Sequence, residues 1–282
     1  MKSMKNKKTR VIVVTSGKGG VGKTTLTANI GMSLARLGQR VVLLDADIGL
    51  RNLDLLLGLE KRIVFTAMDV FNESCTLEQA LVKDKTWSNL SLLAISKTRQ
   101  RYNISRSSMT MLVDSLQERD YNFILIDCPA GIDIGFLNAI SPASEAILIT
   151  TPEITAIRDA DRVIGLLEAN NLFDNKLIIN RVRTDMIKGN NMLSINDVQD
   201  LLGIPLLGVI PEDNQVIVAT NRGKPLVTRK RLTLSGLAME NAAQRLLGMD
   251  EALINLETPY KSPFRGYSKV AQFAKNLFPM SD

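Results

Sequence analysis

A glycine-rich segment follows the first apolar run of the chain, which covers Val11 to Val14. In order, its residues are Gly17, Lys18, Gly19, Gly20, Val21, Gly22, Lys23, Thr24 and Thr25. The glycines let the backbone turn tightly and point N–H groups at phosphate oxygens, and the helix pattern that follows adds the positive end of its dipole. Lys23 can then reach the β- and γ-phosphates, while Thr24 offers its hydroxyl to Mg²⁺. The segment predicts a nucleotide-phosphate site lined by all nine residues.

A second lysine, Lys18, stands at the start of this loop. A chain that only holds the phosphates of its own nucleotide needs no charge there. In some P-loop proteins a lysine at this position crosses a dimer interface and contacts the partner's nucleotide, much as an arginine finger does. The pattern predicts catalytic roles for Lys18 and Lys23, with a solvated loop lysine as the plain alternative for Lys18.

Carboxylates stand at the ends of two apolar runs. Asp45 and Asp47 follow the run at 41–44, and Asp127 follows the run at 123–126 and precedes a Pro/Gly turn. Open α/β sheets bind ligands at the carboxyl ends of their strands, so all three can reach the γ-phosphate region. Capping of the next helix is the alternative for Asp45 and Asp47. Asp127 looks like the carboxylate that binds a water of the Mg²⁺ shell.

Five separated segments resemble the ParA/MinD family of P-loop ATPases with a deviant phosphate-binding loop. They read GKGGVGKTT, DAD, GLRNLD, DCPAGI and TTPEITAIRDADR, and the resemblance covers residues 10 to about 247. It implies ATP hydrolysis with Mg²⁺, in which Thr24, Asp45 and Asp127 serve the metal and Asp47 orients the attacking water.

The resemblance also implies where the base of the nucleotide is held. The residues at the matching positions, after two further strands, are Asn180, Arg181, Pro211, Glu212 and Asp213. Without the resemblance, Asn180 is more often a turn residue than one that contacts a base. No N-K-x-D guanine signature is present, which favours ATP over GTP.

The GLRNLD segment is most similar to the branch of the family that positions the division septum. That branch implies a homodimer formed on ATP, a MinE-like stimulator of hydrolysis and a MinC-like division inhibitor as cargo. The partner-binding candidates are Arg51, Asn52, Asp159 and Asp161. An ordinary solvated helix face is the alternative for each of them.

Apolar, β-branched runs alternate with helical patterns along the chain. The predicted strands are 11–14, 41–44, 90–94, 123–126, 146–150, 177–179 and 206–210, and the predicted helices include 26–37, 109–117, 160–169, 195–202 and 237–247. This alternation is typical of an α/β fold, a mostly parallel twisted sheet with helices on both faces.

The chain of 282 residues is 45% hydrophobic, enough for one substantial core. We expect a basic N-terminal extension at 1–9, one ATPase domain at 10–248, a tether at 249–267 and an amphipathic helix at 268–279. No run approaches a membrane span, and no secretory signal is evident. Cys75 and Cys128 lack paired spacing and are expected in the core, and the absence of histidine excludes His-based catalysis.

The C-terminal segment carries an apolar stripe at helical spacing. Val270, Phe273, Leu277 and Phe278 share one face, and lysines flank it. Such a helix either packs on the domain or lies in a lipid interface, and the two phenylalanines with flanking lysines favour lipid. One tail binds marginally, whereas two tails on a dimer gain avidity of about 10²–10⁴.

The net charge of +6 is concentrated at the two ends of the chain. The N-terminal end carries five cations up to Arg10, and the chain from residue 258 onward carries four cations and one carboxylate. The two ends together therefore carry +8, and the remaining body carries −2. This distribution favours an anionic membrane surface over a nucleic acid as partner, and no specific nucleic acid is expected.

Together with the resemblance, which implies the role at the division septum, these patterns predict a dimerising, membrane-associated ATPase that positions the septum. It would lie in the cytoplasm on the inner face of the cell membrane, or in the plastid stroma and on the inner envelope if the chain is plastid-encoded. Two alternatives stay open: a ParA-like ATPase that binds DNA nonspecifically during partition, and an iron–sulfur reductase or carrier of the same fold.

Overall fold

The computed structural model describes residues 8–47, 52–96, 104–254 and 256, and it contains one sheet of eight strands. The strands are β1 Arg10–Thr15, β2 Val41–Asp45, β3 Val82–Lys83, β4 Leu90–Ala94, β5 Phe123–Asp127, β6 Glu145–Thr150, β7 Asn175–Val182 and β8 Leu206–Pro211. Their order is β3-β4-β2-β5-β1-β6-β7-β8. Only β3 is antiparallel to its neighbour, which confirms a mostly parallel sheet.

Helices cover both faces of this sheet. They are α1 Lys23–Arg36, α2 Leu53–Leu57, α3 Ala67–Phe71, α4 Leu77–Ala80, α5 Arg106–Gln117, α6 Ile134–Ile140, α7 Ile154–Ala169, α8 Thr184–Lys188, α9 Ile195–Leu202, α10 Asn214–Asn221 and α11 Leu234–Leu246, with 3₁₀ turns at Glu60–Arg62 and Leu226–Thr228. One core packs α5, α6, α7 and α9 on the sheet, and the other packs α1, α2 and α11. The predicted placement of helices on both faces is confirmed.

Strand β1 occupies the middle of the sheet, between β5 and β6. Its residues from Val11 onward are buried, as expected for a β-branched run covered on both faces. The chain order of the strands changes direction around β1, and ligands of open α/β sheets bind at the carboxyl ends of strands at such a point. The loop that leaves β1 is the glycine-rich segment.

Helix α7 begins six residues before the predicted start at 160. Its first turn exposes Ile154 and Thr155, while Ala156 and Ile157 are buried on the core. Tertiary packing therefore begins the helix earlier than periodicity alone predicts. The pair Val82–Lys83 is too short to give a strand pattern, and the short helices α2, α3, α4, α6, α8 and α10 were not predicted either. Cys128 is fully buried, as expected, whereas Cys75 is half-buried.

Several expectations concern residues outside the described part of the chain. They are the contact at Arg51, most of the N-terminal extension and tether, and the helix at 268–279 with Val270, Phe273, Leu277 and Phe278. Within the described ranges, none of the helices has the length and hydropathy needed to cross a bilayer.

Candidate nucleotide site

The glycine-rich loop at 16–22 connects β1 to α1 at the carboxyl edge of the sheet. Gly22 precedes α1 with φ of 99°, a left-handed conformation that disfavours side chains, and an added Cβ would lie 2.4 Å from Nδ2 of Asn180. A Cβ on Gly17 would lie 2.3 Å from the backbone carbonyl oxygen of Asp159 in α7. Glycines are therefore required here both by backbone geometry and by close packing against α7 and β7.

Lys23, the first residue of α1, is buried against the end of β5. Its Nζ donates to Oδ1 of Asp127 at 3.0 Å, and the hydroxyl of Thr27 donates to the same oxygen at 3.1 Å. The hydroxyl of Thr24 acts on this carboxylate as well, in the direction that lowers the pKa of Asp127. Thr27 was not predicted as a site residue, although its position one turn after Lys23 on α1 is a usable signal.

Two carboxylates face each other across neighbouring strands. Asp45 at the end of β2 is in register with Asp127 at the end of β5, and both are buried. Burial and the nearby charge of Asp127 raise the pKa of Asp45 to about 8. A hydrogen bond from the backbone N–H of Asp47 opposes this shift. Burial also raises the pKa of Asp127, although Lys23 opposes this shift.

The residues at this point suit a divalent cation. Oδ2 of Asp127 is buried without a hydrogen-bond partner, so the site has an unused carboxylate oxygen beside a second carboxyl group. Mg²⁺ at nucleotide sites takes one or two carboxylates and completes its shell with phosphate oxygens and water. Thr24, Asp45 and Asp127 therefore fit Mg²⁺, even though no three His, Cys, Asp or Glu side chains in the described ranges form a metal-binding group.

Lys18 lies on the open side of the loop. Its Nζ donates to Oε2 of Glu153 at 3.1 Å and to the hydroxyl of Thr155 at 3.4 Å, and its side chain is 42% exposed. The hydrogen bond from Lys18 lowers the pKa of Glu153. Lys18 therefore does not point at the phosphate cradle of its own chain, and Glu153, which was not predicted as a site residue, is its partner.

Exposed aliphatic side chains surround this open side. Ile154 follows Glu153 and is exposed. Ile132 is exposed in the loop before α6, and Ile134 is exposed as the first residue of α6. This loop is adjacent to the phosphate cradle, because a Cβ on Gly19 would lie 3.9 Å from Cβ of Ala130. The mouth of the site thus combines a lysine with exposed apolar groups.

A cleft of about 840 Å³ opens on the β7 side of the loop, between Glu153, Arg181 and Glu212. This volume is within the range of small-ligand sites. Arg181 has a left-handed backbone with φ of 57°, an uncommon conformation for a residue with a side chain.

The other candidates for the base do not line this cleft. Asn180 is buried, and its Nδ2 donates to the carbonyl of Val21 at 2.7 Å, so its amide group holds the phosphate loop. Pro211 ends β8, and the carboxylate of Asp213 accepts from the N–H of Gln215 at the start of α10.

The candidates for catalysis and partner binding lie at the rim. Asp47 is half-buried just after β2, and Asn52 is exposed where α2 begins. Asp161 is exposed on α7, and the side chain of Asp159 pairs with Arg162 at 3.7 Å while its backbone contacts the loop. The α7 surface is therefore in direct contact with the phosphate cradle.

Comparison with known proteins places this site in a family. A ParA family profile, described as "NUBPL iron-transfer P-loop NTPase", matches residues 7–247. The chain is 59% identical over 262 residues to the chloroplastic septum site-determining protein minD homolog of Arabidopsis thaliana, covering 90% of this chain and 80% of that one.

Solved structures show the same relationship. The MinC:MinD cell division protein complex of Aquifex aeolicus contains a chain that is 46% identical, with a TM-score of 0.81 over 87% of this chain and 99% of that one. The septum site-determining protein MinD of Pyrococcus horikoshii, complexed with Mg-ADP, is 32% identical, with a TM-score of 0.75 over 84% and 96%. With the phosphate loop, the paired carboxylates and the parallel sheet, these matches show that the chain belongs to the ParA family of P-loop NTPases and, within it, to the septum site-determining MinD proteins.

Proposed function

We propose that this chain is an ATPase that dimerises on ATP, associates with a membrane as a dimer, and leaves it after hydrolysis. The observation that carries the proposal is the position of Lys18, which lies on the open side of the phosphate loop and pairs with Glu153. A lysine directed away from its own nucleotide can serve a second subunit. The exposed Ile132, Ile134 and Ile154 around it support the same role, because apolar groups at a site mouth favour contact with another protein surface.

Hydrolysis needs the phosphates and the attacking water to be held in line. Lys23 would hold the β- and γ-phosphates once it leaves Asp127, and Asp47 would orient the water. Thr24, Asp45 and Asp127 would hold Mg²⁺, which neutralises phosphate charge when bound. Phosphoryl transfer depends mainly on positioning and charge, so carboxylates and lysines suffice without histidine. The complete site needs Lys18 of the second subunit, and intrinsic turnover is therefore slow.

Recognition of the base is proposed for the cleft between Glu153, Arg181 and Glu212. Asn180 contributes through its hydrogen bond to Val21, which fixes the loop next to the cleft. Pro211 and Asp213 act by shaping the end of β8 and the start of α10. ATP is favoured by the absence of a guanine signature in the sequence.

Membrane association is proposed for the segment at 268–279 with its apolar residues Val270, Phe273, Leu277 and Phe278. A short free helix pays roughly 1 kcal/mol per residue to become ordered, so one copy binds lipid marginally. A dimer presents two copies, and the second binds at an effective concentration up to the mM range. Nucleotide state thereby controls membrane affinity through the dimer.

The proposed partners follow from the relatives. The Aquifex aeolicus relative forms a complex with MinC, and we assign this chain a MinC-like division inhibitor as cargo. We assign it a MinE-like stimulator of hydrolysis as well. Arg51, Asn52, Asp159 and Asp161 are the proposed contacts, on segments next to the nucleotide site. The proposed location is the inner face of a cell membrane or, as for the chloroplastic relative, the plastid stroma and inner envelope.

An iron–sulfur function has less support from the cysteines. Cys128 is fully buried, and burial raises the pKa of its thiol, whereas iron–sulfur clusters are held by thiolates. Cys75 is half-buried against the same core and distant in sequence. Neither thiol stands at the open side of the phosphate loop, where two subunits would share a cluster.

Vesicle sedimentation tests the proposed function. The full chain with a non-hydrolysable ATP analogue should pellet with anionic vesicles, and with ADP it should stay in the supernatant. Phe273→Glu should abolish pelleting and leave nucleotide binding intact. Equal pelleting with both nucleotides, or normal pelleting of the variant, would overturn the proposal. ATP-dependent retention on DNA with steep salt dependence would instead favour the partition ATPase.

A further inference from the structure

A surface with many exposed cations lies on the side of the sheet that carries α1 and α2. Its exposed cations come from three separate parts of the sequence: Lys61, Arg62, Lys83, Lys85, Arg222, Lys224, Arg229, Lys230 and Arg231. We call these nine residues the basic surface. Within segments 55–65, 83–85 and 215–232, the carboxylates are Glu60 and Asp84. This local excess of positive charge contrasts with the body of the chain, which carries −2 in total.

Contacts between the three segments join the cations into one surface. The backbones of Gly58 and Gly223 meet, because a Cβ on Gly58 would lie 2.7 Å from the carbonyl oxygen of Gly223. Nζ of Lys85 donates to the carbonyl of Gly58 at 3.0 Å. The 3₁₀ turn that carries Arg62 therefore lies between the β3 loop and the loop after α10.

Two further hydrogen bonds extend this surface at its edges. Nη1 of Arg62 donates to the carbonyl of Lys83 at 2.7 Å, and Nη1 of Arg229 donates to Oε1 of Gln215 on α10 at 2.8 Å. These arginines are held in place on the domain while they remain exposed. The basic surface is thus a fixed part of the fold.

Exposed aliphatic side chains belong to the same segments as the cations. Leu55 on α2 is 49% exposed, Val64 is 62% exposed, and Ile217 on α10 is 62% exposed. Helices α2 and α10 pack against each other, and the carbonyl of Leu55 lies 2.9 Å from a Cβ placed on Gly223. Exposed apolar side chains surrounded by polar or charged residues are typical of a surface that contacts a protein or a membrane.

The combination favours an anionic lipid surface over a nucleic acid. Phosphate groups attract cations in either partner, but the backbone of a nucleic acid offers little to aliphatic side chains. A bilayer interface accepts both, with cations at the headgroups and aliphatic groups at the acyl boundary. We propose that the basic surface is a second membrane contact, which binds anionic headgroups alongside the C-terminal segment. This inference rests on the proposed membrane function.

Charge reversal on full-length protein tests the inference. Vesicles contain phosphatidylcholine with 0, 20 or 40% phosphatidylglycerol, and the protein carries a non-hydrolysable ATP analogue. Lys230→Glu should raise the lipid concentration for half-maximal pelleting at 40% phosphatidylglycerol about tenfold. The matched control is Arg106→Glu on α5, a helix that packs on the opposite face of the sheet. This control should change the lipid concentration for half-maximal pelleting less than twofold. Both variants should keep the ATPase rate measured without vesicles.

A second pair of variants tests the apolar part. Ile217→Ser should weaken pelleting severalfold, whereas Leu201→Ser on α9, with a similar exposure of 58%, should have no effect. If Lys230→Glu and Arg106→Glu behave alike, the basic surface is a solvated face and the inference fails. If Lys230→Glu weakens retention on double-stranded DNA but does not weaken pelleting with vesicles, the basic surface binds nucleic acid and the inference is overturned.

The outcomes separate this inference from the proposed function. If Phe273→Glu abolishes pelleting and Lys230→Glu has no effect, the second contact fails while the membrane function stands. If Phe273→Glu pellets normally, the proposed function is overturned, and loss of pelleting by Lys230→Glu would then identify the basic surface as the membrane contact in place of the C-terminal segment.

Discussion

Nζ of Lys23 lies 3.0 Å from Oδ1 of Asp127, and both side chains are buried at the carboxyl edge of the sheet. The lysine that is expected to hold phosphates is therefore paired with a carboxylate that is expected to serve Mg²⁺. Each group compensates the charge of the other in a poorly solvated site. Under the proposed function, Mg²⁺ and nucleotide would replace this pair by two new pairs, in which Lys23 would contact phosphate and Asp127 would serve the cation.

The energetic value of this pair is measurable in a double-mutant cycle. Lys23→Met should lower the free energy of unfolding by about 3 kcal/mol at pH 8, because it leaves the buried charge of Asp127 uncompensated. Lys23→Met with Asp127→Asn should recover most of this loss, since no charge is then buried. Urea unfolding of nucleotide-free protein provides the measurement. If the unfolding free energy lost in the double variant equals the sum of the losses in Lys23→Met and Asp127→Asn, the two side chains do not couple.

The raised pKa of Asp45, about 8, gives a pH dependence with a definite sign. An unfolded aspartate has a pKa of about 3.9, so between roughly pH 4 and 8 the folded state holds a proton that the unfolded state lacks. The metal-free protein therefore loses stability as pH rises, by up to about 1.4 kcal/mol per pH unit, and the loss stops above pH 8.

Asp45→Asn should remove this dependence. Melting temperatures of both proteins in EDTA at pH 5.5, 7 and 8.5 should diverge with pH, and the variant should be the more stable one at pH 8.5. Parallel curves would mean that Asp45 is charged in the folded apoprotein. The same variant should lose Mg²⁺-dependent ATPase activity, which separates its gain in stability from its loss of function.

The hydrogen bond from Asn180 to Val21 predicts a role in holding the phosphate loop. Asn180→Ala leaves the buried carbonyl of Val21 without this donor, at a cost of about 1–3 kcal/mol. A titration with a fluorescent ATP analogue should show about tenfold weaker affinity, because the loop is no longer pre-organised. Asn221→Ala, at an exposed position on α10, is the control and should bind normally. Equal affinity of both variants would show that the loop is held by other contacts.

The sequence predicted the sheet because its strands are buried on both faces and therefore form continuous β-branched runs. The phosphate loop was predictable for a related reason: consecutive residues carry out its chemistry. Short elements such as β3 and α2 gave no signal, because tertiary contacts form them rather than local pattern. Glu153 was missed as the partner of Lys18, since 135 residues separate the two.

The basic surface could not be predicted from the net charge of the chain. Its cations come from segments near residues 61, 84 and 226, and they are diluted by carboxylates elsewhere in the body. A net charge summed along the chain cannot show that folding brings these segments together. The contact between Gly58 and Gly223 is what makes them one surface.

The exposed pair of Lys18 and Glu153 predicts that Lys18 acts in the partner's site. Lys18→Ala should change the free energy of unfolding by less than about 0.5 kcal/mol, because the pair is solvated. It should keep nucleotide binding and lose turnover by about 10² or more, as expected for a charge supplied in trans. Thr155→Val, which removes the other hydrogen-bond partner of Lys18 and lies outside the proposed cleft, should keep turnover and serves as the control.

Mixing subunits distinguishes action in trans from action in cis. Lys18→Ala and Asp47→Ala homodimers should each be inactive. In a mixed dimer, the Lys18→Ala subunit keeps its own Asp47 and receives Lys18 from the other chain, so one of the two sites is complete. An equal mixture should therefore recover roughly a quarter of the wild-type ATPase rate, since half of the dimers are mixed. If Lys18 acts on the nucleotide of its own chain, no site in the mixture is complete and the rate stays at the level of the separate variants.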